Sequence, residues 1–164
     1  MIGGERDTEF THLDEQGRLR MVDVSDKKVT DREALAEATV GMAPETLKRI
    51  TEGSMPKGNV FEAARLAGIM AAKKTWEIIP LCHPLQIAAV DIEFAANPAT
   101  SEITIRGRVK TSDRTGVEME ALVAVSGAAL TIYDMCKAVD RGMVIRDVRL
   151  TFKNGGRSGR YERL

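Results

Sequence analysis

Hydrophobic patterning divides this chain into elements before any single residue is weighed. Ala121–Tyr133 (ALVAVSGAALTIY) carries no charge and follows Glu118 and Glu120, which predicts a helix apolar all round and therefore buried. Glu102–Lys110 alternates, with Ile103, Ile105, Gly107 and Val109 on one side and Arg106, Arg108 and Lys110 on the other. That is the period of a half-buried strand. Leu85–Phe94 is its predicted partner across the turn Asn97-Pro98-Ala99, and Val144–Phe152 is a last strand after Gly142. Asn59, with Glu62 placed to complete a capping box, starts one predicted helix running from Val60 to Ile78 and stopping before Pro80. Pro44 opens a short helix over Glu45–Glu52 that Gly53 stops. The alanines of Arg32–Met42 favour helix, but the segment also fits an edge strand, and strand is our reading. Met21–Val24 reads as a short extended piece.

Strand, helix, helix, strand, strand, helix, strand is the resulting order. It predicts an α+β sandwich of ferredoxin-like type, an antiparallel sheet with helices packed on one face. A single domain over residues 21–152 is expected, between a loose polar arm (1–20) and a basic, Gly-rich tail (153–164).

Composition adds mainly exclusions. Among 164 residues, 24 acidic side chains balance 24 basic ones, so no global field draws the protein to nucleic acid or membrane. Cys82 and Cys136 are far apart and form no framework, as expected of reduced thiols. The charged start (MIGGERDTEF) has no apolar signal region, and no run approaches the roughly 18–20 apolar residues of a membrane span. A soluble, cytoplasmic protein is the expectation.

No dinucleotide fingerprint, P-loop lysine motif, HExxH or paired CxxC occurs. Chemistry must then rest on Lys, Asp, Glu and the histidines. Asp134 and Lys137 share one side of the long helix near its end, either as an acid–base pair or as a helix-end ion pair that complements the dipole. His83 sits between Pro80 and Pro84 in Leu81-Cys82-His83-Pro84, on a turn that proline stiffens, either in a site or as a structural histidine. His12 lies in the loose arm. Lys57 falls in the loop Gly53–Gly58. Glu118 and Glu120 either favour the helix start or accept from the N–H edge of a guanine-derived ring. The segment Lys153–Arg160 is suited to wrapping phosphates. A zinc cyclohydrolase site from Cys82, His83 and Cys136 is the first rival, although adjacent ligands suit one tetrahedral ion poorly. The second is an RNA-binding sheet using Arg106, Arg108 and Lys110, but aromatics make up only 4% of the chain and none interleaves that stripe.

Taken together, MVDVS (21–25), KGNVFEAARLAGI (57–69), TWEIIPLCHPL (75–85), TGVEMEAL (115–122), ALTIYDMCKAV (129–139) and KNGGRSG (153–159) closely resemble the molybdenum-cofactor biosynthesis protein C family, the cyclic pyranopterin monophosphate synthases. The likeness runs from about Thr11 to Gly159. It implies a lyase that converts 3′,8-cyclo-7,8-dihydroguanosine 5′-triphosphate to cyclic pyranopterin monophosphate and pyrophosphate. It also implies a homohexamer, a trimer of dimers, with active sites at the dimer interface. By position it assigns catalysis to Asp134, Lys137 and Lys57. Substrate contacts fall on Leu81, Cys82, His83, Glu118, Met119, Glu120, Lys153 and Arg157. Arg157 departs from the family's lysine: it keeps charge and can grip phosphate, but does not readily release a proton. No metal ligand set, cofactor, nucleic acid or membrane partner is implied, and Mg²⁺ is compatible with a triphosphate substrate.

Overall fold

The computed structural model describes residues 13, 14 and 16–164. Residues 1–12 and 15, with His12 and most of the expected N-terminal arm, lie outside the described residues. Among those described, Leu13 bridges Leu19 around a turn in which Asp14 accepts from the backbone N–H of Gln16 and Arg18.

The first strand, β1 (Thr30–Gly41), buries Ala34, Ala36, Ala38 and Val40 on one side, the alternation of a strand with one covered face. It is a strand, as expected, but a central one rather than an edge. The sheet order is β2-β3-β1-β4-β5, all antiparallel, with β2 (Ile87–Asn97), β3 (Glu102–Asp113), β4 (Val144–Asn154) and β5 (Tyr161–Glu162). Small alanines on β1 fit a strand lying directly beneath a helix. Met21–Val24 joins no strand. Its backbone runs over a cavity, and the Val22 carbonyl meets the His83 ring rather than a neighbouring strand.

Between strands lie α1 (Pro44–Thr51), α2 (Val60–Lys73), α3 (Thr75–Ile78) and α4 (Glu118–Cys136). The expected helix to Ile78 is broken after Lys73, where the buried Thr75 hydroxyl donates to the Ala72 carbonyl at 3.0 Å and competes with the helical ladder. Only half of the capping box forms. Asn59 Oδ1 accepts from the Glu62 N–H at 3.1 Å, while the Glu62 carboxylate pairs with Arg65.

Helix α4 covers β1, β3 and β4, and α2 packs beside it over β2. Its buried side is Ala121, Ala124, Val125, Ala128, Ala129, Ile132 and Cys136. Gly127 sets the helix–helix distance: a Cβ there would lie 2.7 Å from the Ala71 Cβ. The expectation of burial all round is corrected. Leu130 is 62% exposed, as are Leu66 and Met70 of α2 at 60% and 52%, so the helical layer has an apolar outer surface. By length and mean hydropathy α4 would pass for a membrane span, yet Glu118, Glu120 and Asp134 interrupt it and its small-residue side is packed on the sheet.

Candidate active site

The expected site residues fall into two groups, one at each end of α4. Residues 118 and 134 stand sixteen positions apart on that helix, which separates the groups by about 24 Å at 1.5 Å per residue.

At the C-terminal end, the Asp134 carboxylate lies between two ammonium groups. Lys137 Nζ reaches Oδ1 at 2.7 Å, and Lys57 Nζ reaches Oδ2 at 2.9 Å and the Asp134 carbonyl at 2.8 Å. The helix brings Lys137 round by its i,i+3 spacing, whereas Lys57 arrives from the loop before α2. All three side chains are exposed, not buried as the apolar helix had implied. Hydrogen bonds and charge from Lys137, then Lys57, hold the Asp134 carboxyl down at about 2. The same partnership raises Lys137. Asp134 and Lys137 are therefore both ionised near neutrality.

The N-terminal end holds a half-open cavity. It measures about 350 Å³ and is lined by Leu81, Cys82, His83, Met119 and Glu120, roofed by Val22 and Val24. His83 Nε2 lies 2.8 Å from the Val22 carbonyl, a bond that requires the proton on Nε2 and fixes the ring's orientation. Glu120 is 4% exposed. Burial, with the nearby Glu118 charge adding to it, pushes its carboxyl up to about 7, partly offset by its own backbone N–H. Burial also raises the Cys82 thiol, with Glu120 adding to the effect.

Lys27, Thr115, Gly116 and Glu118 line this cavity and also a broader cleft of about 860 Å³ beside it. The cleft carries the remaining expected residues, Lys153 and Arg157, and cations that sequence reasoning missed: Lys27, Lys28, Arg32 and Arg114. Those residues have the look of ordinary solvated charges in sequence, and only the fold gathers them. Lys153 Nζ reaches Glu118 Oε1 at 3.6 Å and also meets the Ser158 hydroxyl. The tail is more ordered than its composition predicts. Gly155, Gly156 and Gly159 turn it at positive φ, and Tyr161–Glu162 pairs with Phe152–Lys153 as β5. A two-residue strand has no periodicity to detect.

Neither rival gains support. Cys136 is buried near the far end of α4, its thiol pushed up to about 11 by burial. It is thus a helix length from Cys82 and His83, and among the described residues no three His, Cys, Asp or Glu side chains gather to ligate a metal. Two of the three cations of the basic stripe are paired within the sheet: Arg106 with Glu37 at 2.8 Å and Arg108 with Glu33, while Arg149 shares Glu37 at 3.4 Å.

Residues 21–156 match the family model described as the MoaC family. A cyclic pyranopterin monophosphate synthase of Desulfatibacillum aliphaticivorans is 58% identical over 93% of this chain and 96% of the relative. One of Pelotomaculum thermopropionicum is 60% identical over 94% and 91%, and one of Brevibacillus brevis 57% identical over 94% and 96%. The match spans both ends of α4 and every expected site residue except Arg157, one position beyond the matched range, and on that breadth the chain belongs to the MoaC family.

Proposed function

We propose that the chain is a cyclic pyranopterin monophosphate synthase, a lyase of molybdenum-cofactor biosynthesis acting on 3′,8-cyclo-7,8-dihydroguanosine 5′-triphosphate. The observation that carries this reading is the joined cavity and cleft at the head of α4. A half-open pocket with a carboxyl poised near neutrality adjoins a groove in which Lys27, Lys28, Arg32, Arg114, Lys153 and Arg157 outnumber Asp23, Asp26 and Glu118, across shared walls at Lys27, Gly116 and Glu118. The pocket suits a purine-derived ring system, with Glu118 and Glu120 toward its N–H edge and His83 orienting it. Lys153 and Arg157 take the triphosphate. The reaction opens one ring system, closes the pyranopterin and directs a sugar-derived hydroxyl at the α-phosphate, expelling pyrophosphate. It needs several proton transfers and charge neutralisation, not electron transfer. Turnover is expected without added Mg²⁺, because the cleft has cations of its own; activity measured in EDTA checks this.

Asp134, Lys137 and Lys57 are the proton-moving set, with ammonium donors on both sides of one carboxylate. They stand about 24 Å from the head of their own helix, so in this reading they serve the pocket of another subunit. The apolar outer surface of α2 and α4 supports association, and a hexamer built as a trimer of dimers with sites between subunits is the assembly we propose. A cytoplasmic location fits the same reading.

Incubating the purified protein with the cyclic dihydro-GTP should release pyrophosphate and the cyclic pterin. Asp134→Asn should fold normally and lose about 10²–10⁴-fold in rate. A folded Asp134→Asn variant turning over at the parental rate removes the assignment.

A further inference from the structure

Arg32 is the third residue of β1, and among the described residues its side chain forms no ion pair with a carboxylate. Its guanidinium donates from Nε to the Asp113 carbonyl and from Nη2 to the Arg114 carbonyl, each at 2.9 Å. These carbonyls stand where β3 ends and the loop to α4 begins. On the other side the same group meets the turn that follows β4. Gly155 has φ +100° and Gly156 φ +71°; a Cβ on Gly155 would collide with the Asp31 carbonyl oxygen and stand 3.3 Å from the Arg32 Cα and Cγ, and one on Gly156 would collide with Arg32 Nη1. Gly156 therefore lies directly against the guanidinium, and Gly155 against the backbone of Asp31 and Arg32.

We infer that Arg32 is a positioning residue: it joins the loop before α4 to the glycine turn after β4 and so fixes the two walls of the phosphate end of the cleft. The sheet cannot do this itself. Ladder pairing of β3 stops at Asp113 and that of β4 with β1 at Asn154, and the residues just beyond each end are the ones that line the cleft. Arg114, Thr115 and Gly116 come from one wall; Gly156, Arg157 and Ser158 come from the other. Holding two successive carbonyls needs a planar fork of donors, which lysine lacks although it preserves the charge. The substrate part of this inference rests on the proposed triphosphate chemistry. The structural part does not.

The test compares Arg32→Gln, Arg32→Lys and Gly156→Ala in the full-length protein, by steady-state kinetics with the cyclic dihydro-GTP and by hydrogen exchange without ligand. Both Arg32 variants should raise KM about tenfold and leave kcat within about threefold. In both, backbone amides of residues 114–116 and 155–158 should exchange about tenfold faster, while those of α4 keep their protection. Gly156→Ala displaces the guanidinium from the opposite side and should raise KM similarly. Restoration of the parental KM and protection by Arg32→Lys would mean that charge alone suffices, and would overturn the inference. Unchanged exchange at both walls in Arg32→Gln overturns it as well. So does an Arg32→Gln variant that fails to fold while Arg32→Lys behaves as the parent. If the parent itself does not turn over the substrate, the proposed activity fails, while the exchange pattern still decides the role of Arg32.

Discussion

Glu120 and Asp134 are both carboxylates on one helix, and their surroundings push them in opposite directions. Asp134 sits in solvent between two ammonium groups and stays ionised to about 2. Glu120 is buried beside Glu118 and titrates near 7. An enzyme working near neutrality thus has one carboxyl able to change charge and one that stays ionised and acts in the proton-moving set by holding the Lys57 and Lys137 ammonium groups. The expected rate profile has an apparent pKa near 7 that Glu120→Gln abolishes and Asp134→Asn does not move. Folding should respond too. The unfolded Glu120 loses its proton at about its ordinary value of 4.5, whereas the folded one keeps it to about 7. Between those values the unfolded state binds fewer protons, so stability falls as pH rises, by on the order of 2–3 kcal/mol for a fully buried group. Denaturation by urea at pH 5 and pH 8 should show that loss in the parent and a smaller one in Glu120→Gln. Sequence exposed the candidates here, since Glu118 and Glu120 flank Met119 at the head of an uncharged run. It did not expose the difference in burial, which only the fold sets, by bringing Val22, Val24 and Leu81-Cys82-His83 to the same cavity as Glu120.

Helix α1 shows what periodicity leaves out at the level of an element. Its N-cap position is Ala43, which has no side-chain oxygen to offer. Asp140, from the loop after α4, takes over: its Oδ2 accepts from the Ala43 N–H at 2.8 Å and from the Thr46 hydroxyl at 3.2 Å. The Gly142 N–H donates to Oδ1 at 2.9 Å. These bonds hold the Asp140 carboxyl below its ordinary value of 3.8. Its contribution is therefore complete above that value and lost as pH falls through the lower folded one. Asp140→Ala should destabilise the protein by about 1–2 kcal/mol in urea at pH 7. Gly127→Ala tests a different contact. The added methyl would meet Ala71 at 2.7 Å and should cost about 1–3 kcal/mol through overpacking, read as a lower midpoint of thermal unfolding. The alternation in Glu102–Lys110 and the uncharged run in α4 were legible in sequence because each buries one consistent set of positions. Arg32–Met42 was ambiguous because alanine serves helix and strand alike. Only its pairing with β3 and β4 resolves it as a central strand.

For the whole molecule, the separation of the two residue groups along α4 has a direct consequence for mixed assemblies. If pocket and proton-moving set come from different subunits, inactive Asp134→Asn and inactive His83→Ala chains should complement each other. Random mixing by denaturation and refolding should restore roughly a quarter of the sites to full composition. Sites contained in single subunits would give no recovery. Strand order matters in another way. The middle strand of the sheet is made early, one neighbour lies at residues 102–113 and the other at 144–154. While the ribosome is still adding that last stretch, β1 has one flank without a mate, and its alanine-rich backbone is open to strands of other nascent chains. Messages cut short near codon 143 should for that reason yield inclusion bodies rather than a smaller working protein.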